Sequence, residues 1–154
     1  MTRIASPLAH ASDRFAEHTA LSSEEFSLTY PRYLAAVSAV KTKLVNKGIR
    51  PGTRIGCLLE NCPEYPIVLM ALLHLGSSSV SFSTRFPANL IINLMERVGV
   101  DTLITSRNAL PEKFDAKVRI IHVENLVHLQ SIQGAPALIT DIDQDEEAMI
   151  MFTS

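Results

Sequence analysis

Small hydroxyl residues that directly follow a buried strand can cradle phosphate, because their hydroxyls and freed backbone amides donate to anionic oxygens. The sequence offers that arrangement where the apolar segment Ala148–Phe152 runs into Thr153 and Ser154. These two are the candidate nucleotide-binding residues, although a Thr–Ser pair after a strand commonly marks nothing more than a strand end. Other reactive residues do not assemble into a motif. The five histidines, His10, His18, His74, His122 and His128, form neither a His-Glu-x-x-His pattern nor a partner to a glycine-flanked serine. His74 lies in an apolar stretch and reads as a hydrogen-bonded core or interface histidine. Cys57 and Cys62 lack a second Cys/His pair and read as reduced, half-buried thiols of a cytosolic protein rather than a zinc site. Asp141, Asp143, Asp145, Glu146 and Glu147 stand at partly alternating positions, but the glycine and flanking helices of a calcium loop are missing, so they read as a solvated loop. No residue is assigned to catalysis or to a metal. Neither G-x-G-x-x-G after Arg54–Leu59 nor G-x-x-x-x-G-K-[ST] is present.

The elements that must position Thr153 and Ser154 follow from periodicity. A chain of 154 residues, 47% hydrophobic and 19% charged, is sized for one domain with a substantial core. Its net charge of -2, without a basic run, gives no nucleic-acid signature. Met1–Pro7 has no signal-peptide core, and the most apolar run, Ile67–Leu75, is too short to span a bilayer. The expectation is a soluble, cytoplasmic protein without a transmembrane segment.

Residues 8–18 predict a short helix, and Thr19–Ser22 and Phe26–Thr29 a hairpin. Pro31–Lys47 predicts an amphipathic helix with Tyr33, Val37, Val40 and Leu44 on one face, capped by Thr29 and stopped at Gly48. Arg54–Leu59, Val80–Phe82, Asp101–Thr105, Val118–Val123 and Ala148–Phe152 predict strands. Between them fall an all-round apolar helix over 64–75, ended by Gly76, and a helix opened by Pro87 with Leu90, Ile91, Leu94 and Val98 as its buried stripe. Residues 106–117 read as loop. Strand–helix alternation of this kind predicts an α/β fold with a mainly parallel sheet and flanking helices.

The order of these segments resembles the N-terminal part of the adenylate-forming acyl/aryl-CoA synthetase (AMP-binding) superfamily. Leu28-Thr29-Tyr30 enters a helix, Leu44–Gly48 ends it, and Ile49–Ile55 matches the approach to the family's Gly-Asp-Arg-Val-like strand. Leu59–Glu64 matches the Asn-x-x-Glu helix entrance, Ala71–Gly76 the apolar helix end, Phe86-Pro87 the proline loop, and Ile150–Ser154 the strand that opens the phosphate loop. The resemblance covers about residues 15–154, and six matches in order are more specific than any one of them. Thr53 replaces the usual Asp, Ser81 stands where many members carry Pro, and the stretch from Ser106 to Glu147 is short. Ser83–Pro87 and the short front end look most like the o-succinylbenzoate-CoA ligases of menaquinone biosynthesis.

The resemblance implies an ATP-dependent, AMP-forming ligation in which a carboxylic acid becomes an acyl-adenylate and then a thioester with coenzyme A. It implies ATP, Mg2+ and coenzyme A as cofactors of the full-length enzyme, none of them held tightly by these residues alone, and it allows a homodimer. It maps residues 1–154 to the N-terminal portion of the adenylation domain, a truncated acyl-CoA synthetase-like fold, with Thr153 and Ser154 as the first two hydroxyl residues of the phosphate loop. The competing reading is a small stand-alone α/β module that binds a ligand or a protein partner. If the first reading holds, the isolated polypeptide of 154 residues is inactive; measurable ATP–pyrophosphate exchange by it would show otherwise.

Overall fold

The computed structural model describes residues 3–132, 141–143 and 145–152. The chain enters through a two-residue strand, Arg3–Ile4 (β1), and a helix, Pro7–Arg14 (α1). Ser6 starts α1: its hydroxyl accepts from the Ala9 amide at 3.2 Å, and Pro7 suits the first turn. The helix ends at Arg14, short of the expected His18, because the His18 amide closes a turn on the Phe15 carbonyl at 2.9 Å. The expected hairpin forms from Thr19–Ser23 (β2) and Phe26–Thr29 (β3), paired antiparallel. Tyr30–Asn46 (α2) follows, with Val37, Val40 and Leu44 buried as the periodicity requires. Thr29 makes no side-chain cap; Pro31 in the first turn starts the helix without one.

Arg54–Leu58 (β4) leads into Glu64–Leu75 (α3), which ends in a left-handed Gly76 at φ 76° before Ser78–Ser81 (β5). Ala88–Val98 (α4) and Thr102–Thr105 (β6) come next, then a loop, then Arg119–His122 (β7). Ile142–Asp143 (β8) pairs antiparallel with β1, and Met149–Met151 (β9) completes the main sheet. That sheet has five parallel strands in the order β7-β6-β4-β5-β9. Every βαβ crossover puts a helix on a face, so the central strands are buried on both sides. Residues 55–59 are all buried.

The two faces carry two cores. Ile55, Cys57, Ile104 and Ile121 pack under α2 and α3 with Leu44, Ile67 and Leu72. Leu58, Val80 and Leu103 pack under α4 with Ile91 and Met95. The α4 stripe differs from expectation: Met95 is buried, while Leu90 is 37% exposed. Ile91 and Met95 are four residues apart and share the sheet-facing line, which leaves Leu90 one step off it. β5 starts at Ser78, earlier than its apolar residues indicate. Ser77, just before the strand, and Ser78, its first residue, are buried with their hydroxyls satisfied by distant carbonyls: Ser77 Oγ donates to Arg50 O at 2.9 Å and Ser78 Oγ to Glu147 O at 2.7 Å. The β1–β8 pair and the short 3-10 turns Val123–Asn125 and Leu129–Ser131 had no sequence signal.

Gly56 lies in the centre of the sheet on the α4 face, where a Cβ would come within 2.8 Å of Leu103 Cδ1 and 3.1 Å of both Phe82 Cε2 and Val100 Cγ1. All three neighbours are buried and cannot swing into solvent. Gly56→Ala is expected to destabilise the fold by about 1–3 kcal/mol through overpacking, read as a lower urea midpoint.

His74, as expected, is a hydrogen-bonded core histidine. Its Nδ1 is 2.7 Å from the Met70 carbonyl, which can only accept, so Nδ1 carries the proton. Nε2 then accepts from Ser6 Oγ at 2.7 Å, tying the start of α1 to α3. Burial pushes the imidazole below its ordinary 6.5; the bond to Met70 opposes this, and the Lys41 charge adds to it. A base depressed in the folded state contributes stability that is whole above 6.5 and is lost as pH falls through the lower folded value. Urea midpoints measured from pH 7.5 down to 5 should therefore fall more steeply in the wild type than in His74→Gln.

Candidate functional site

Parallel strands bring all their carboxyl ends to one edge, and ligands bind there where neighbouring connections part to opposite faces. In this sheet the parting flanks β4. Its connection, α3, lies on one face, and the connection from β5, α4, lies on the other. The carboxyl ends of β5 and β9 meet beside it, at Ser81–Phe82 and Met151–Phe152. Thr153 and Ser154, the candidate nucleotide-binding residues, follow Phe152 and lie outside the described residues. The structure shows how the strand that delivers them is held.

β9 is held at both ends. Its register pairs Ser79 with Met149, Val80 with Ile150 and Ser81 with Met151. At the amino end, Arg54 reaches Glu147 with two bonds of 2.9 Å, Nε to Oε1 and Nη2 to Oε2, and gives Nη1 to the Val98 carbonyl at 3.0 Å. This forked pairing fixes direction as well as distance. The hydrogen bond from Arg54 is the main reason that the Glu147 carboxyl sits below its usual range. Both side chains are about two-fifths exposed, so the pair specifies register more than it adds stability. Ser78 Oγ donates to Glu147 O, and the Ser79 amide donates to Ala148 O at 3.0 Å. At the carboxyl end, Phe152 stacks on Phe82, with ring centroids 5.5 Å apart and planes 25° from parallel. On the opposite face of β5, Tyr65 Oη donates to Ser81 Oγ at 2.8 Å, which ties the entrance of α3 to the same edge.

The remaining candidates are dispersed. His74 sits in the last turn of α3, at the amino edge of the sheet, because α3 runs back antiparallel to the strands. His10, His18 and His128 are exposed, and His122 closes β7, its Nδ1 buried and without a hydrogen-bond partner among the described residues. Cys57 is buried and Cys62 half-buried, both as free thiols. Burial pushes Cys57 up to about 12 and, with the Glu64 charge, Cys62 up to about 11. Neither is an activated nucleophile at neutral pH. In the acidic stretch, Asp141, Asp145, Glu146 and Glu147 are exposed, and the Asp145 amide donates to Asp143 Oδ1 at 3.1 Å. Among the described residues no group of three or more His, Cys, Asp or Glu could hold a metal ion. No helix of the described residues is long and apolar enough to cross a membrane. Sequence reasoning missed the roles of Phe82, Tyr65 and the Arg54–Glu147 pair. Each acts across a sequence gap that no local pattern bridges.

Comparison with known proteins places this geometry. Residues 8–154 match the family described as AMP-binding enzyme. Gramicidin S synthase 2 of Brevibacillus brevis is 25% identical over 139 residues, 90% of this chain and 3% of that protein. Syringomycin synthase SyrB1 of Pseudomonas syringae pv. syringae is 26% identical over 142 residues, 92% of this chain and 23% of that protein. This chain thus spans a small part of the relatives it matches. Among solved structures, the O-succinylbenzoate coenzyme A synthetase of Bacillus subtilis in complex with ATP and magnesium ion superposes with a TM-score of 0.84 at 22% identity. That match covers 99% of this chain and 41% of the other. The fold is therefore the acyl-CoA synthetase-like fold over its N-terminal region, as the segment order implied, and the chain belongs to the AMP-binding enzyme family.

Proposed function

We propose that this chain is the N-terminal portion of the adenylation domain of an AMP-forming acid–thiol ligase. In the reaction a substrate carboxylate attacks the ATP α-phosphorus, pyrophosphate leaves, and the acyl-adenylate then loses AMP to a thiol. Negative charge builds on the phosphoryl oxygens in the first step, so donors aimed at them lower the barrier. Thr153 and Ser154 supply such donors, two hydroxyls and two amides. One observation carries the reading: β9 ends at the carboxyl edge beside the parting of the α3 and α4 connections, within a match to the AMP-binding family over residues 8–154. Magnesium would arrive with the nucleotide and offset phosphate charge; none of the described residues is assigned to it.

Coenzyme A as the thiol, and o-succinylbenzoate as the acid, are supported by the fold likeness to the O-succinylbenzoate coenzyme A synthetase of Bacillus subtilis. A second reading, amino-acid activation for a carrier-bound thiol, is supported by the likeness to gramicidin S synthase 2 and other peptide synthetases. Both share the adenylation step, and its need for ATP supports a cytoplasmic location. A homodimer is compatible with either.

The test is acid-dependent ATP–pyrophosphate exchange by the polypeptide of the whole reading frame, with o-succinylbenzoate, benzoates, fatty acids and amino acids as substrates. Exchange with an aryl or fatty acid and a coenzyme A thioester as product is expected. Exchange with an amino acid and no such thioester selects the carrier reading, and no exchange with any acid removes both. Thr153→Ala should lower kcat/KM for exchange roughly a hundredfold, the loss of one aimed donor.

A further inference from the structure

The Phe82–Phe152 pair does more than fill the second core. Phe82 is the residue after β5 and Phe152 the residue after β9, so the pair extends the Val80–Ile150 cross-strand contact by one step on the α4 face. Phe82 is 4% exposed and anchored by its own amide, which donates to the Cys57 carbonyl at 2.9 Å. Its ring lies over the one position in the centre of β4 that has no side chain, 3.1 Å from where a Cβ on Gly56 would be. A buried, closely packed ring therefore presents its face to Phe152, the last described residue before Thr153. Amino-end clamps fix where β9 starts, while this stack fixes where it leaves the sheet.

We infer that Phe82 is a positioning residue for the nucleotide-phosphate contact, acting through Phe152 to set the direction in which the chain enters Thr153 and Ser154. The inference rests on the ligase reading. Donors to a phosphoryl group work only within a narrow geometry, so a strand end that swings costs rate even when the fold survives. Tyr65, on the opposite face of β5, holds Ser81 rather than β9, whereas Phe82 stacks directly on Phe152 of the outgoing strand.

The experiment uses the polypeptide of the whole reading frame and compares wild type with Phe82→Leu, Phe82→Met, Phe152→Leu and the Phe82→Leu/Phe152→Leu double variant. Melting temperature, KM for ATP, KM for the acid and kcat of pyrophosphate exchange are measured for each. Leu and Met keep an apolar filler but remove the flat ring, and Met, with its flexible chain, serves if Leu packs poorly. A raised KM for ATP and a lowered kcat, together about ten- to a hundredfold in kcat/KM, are expected, with KM for the acid unchanged. The double variant should be no worse than twofold beyond either single one, because the first substitution already abolishes the stack. Lower melting temperatures with unaltered KM for ATP and kcat in the folded enzyme would reduce Phe82 to a core residue and overturn the inference, as would single effects that multiply in the double variant. A wild type without exchange for any acid overturns the ligase reading instead, and this inference with it.

Discussion

Glu147 lies 69 residues beyond Ser78, and between them the chain passes through α4, β6, β7 and β8 before returning to β5. The contact made on return, β9 parallel to β5, is the constraint on which the carboxyl edge depends. Three backbone pairs are a short ladder, and with β5 as the single partner of β9 among the described strands it could slip. A slip of one residue would turn Ile150 out of the α4-side core and bring Met149 and Met151 in. Three side-chain features oppose it: the forked Arg54–Glu147 pair, the buried Ser78 hydroxyl on Glu147 O, and the Phe152 ring on Phe82.

Those features differ in kind. The Arg54–Glu147 pair is exposed and screened, so its contribution is directional. Ser78 is buried, and a missing acceptor would leave a stranded hydroxyl, so its bond selects register by penalising the alternatives. The aromatic stack adds dispersion and area at the one point where the strand leaves the sheet. On the outer side of β9, Met149 is 44% and Met151 70% exposed, on the face where Ser79 and Ser81 stand rather than in either core.

The N-terminal elements connect to this frame through the other core. Ser6 caps α1 and at the same time donates to His74 at the far end of α3, so one hydroxyl serves a helix start and a tertiary link. Tyr33 of α2 donates to the Pro66 carbonyl in the first turn of α3 at 3.0 Å, which braces the other end of the same helix. α3 is thereby held against α2 at its entrance and α1 at its exit, and its entrance is where Tyr65 meets Ser81.

The sequence by itself determined most of the elements and their class. The three- and four-residue spacing in α2, the unbroken apolar run of α3, the glycine after it and the strand–helix alternation act within a few residues, so they are readable without coordinates. It also singled out Thr153 and Ser154, through a family-like order of segments rather than through any property of the two residues alone. The edges of that reading failed where a local rule lost to a distant partner. Ser78 and Ser79 fell outside the strand expected over Val80–Phe82, yet carbonyls of the later chain satisfy them and they join β5; Leu90 read as core until the four-residue step from Ile91 to Met95 set the roll of α4. Strand order, the placement of β9 beside β5, the slot over Gly56 and the Phe82–Phe152 contact were decided only in the tertiary structure. They depend on which segments meet after crossovers of dozens of residues, and a pairing energy between distant segments leaves no periodic trace in either one.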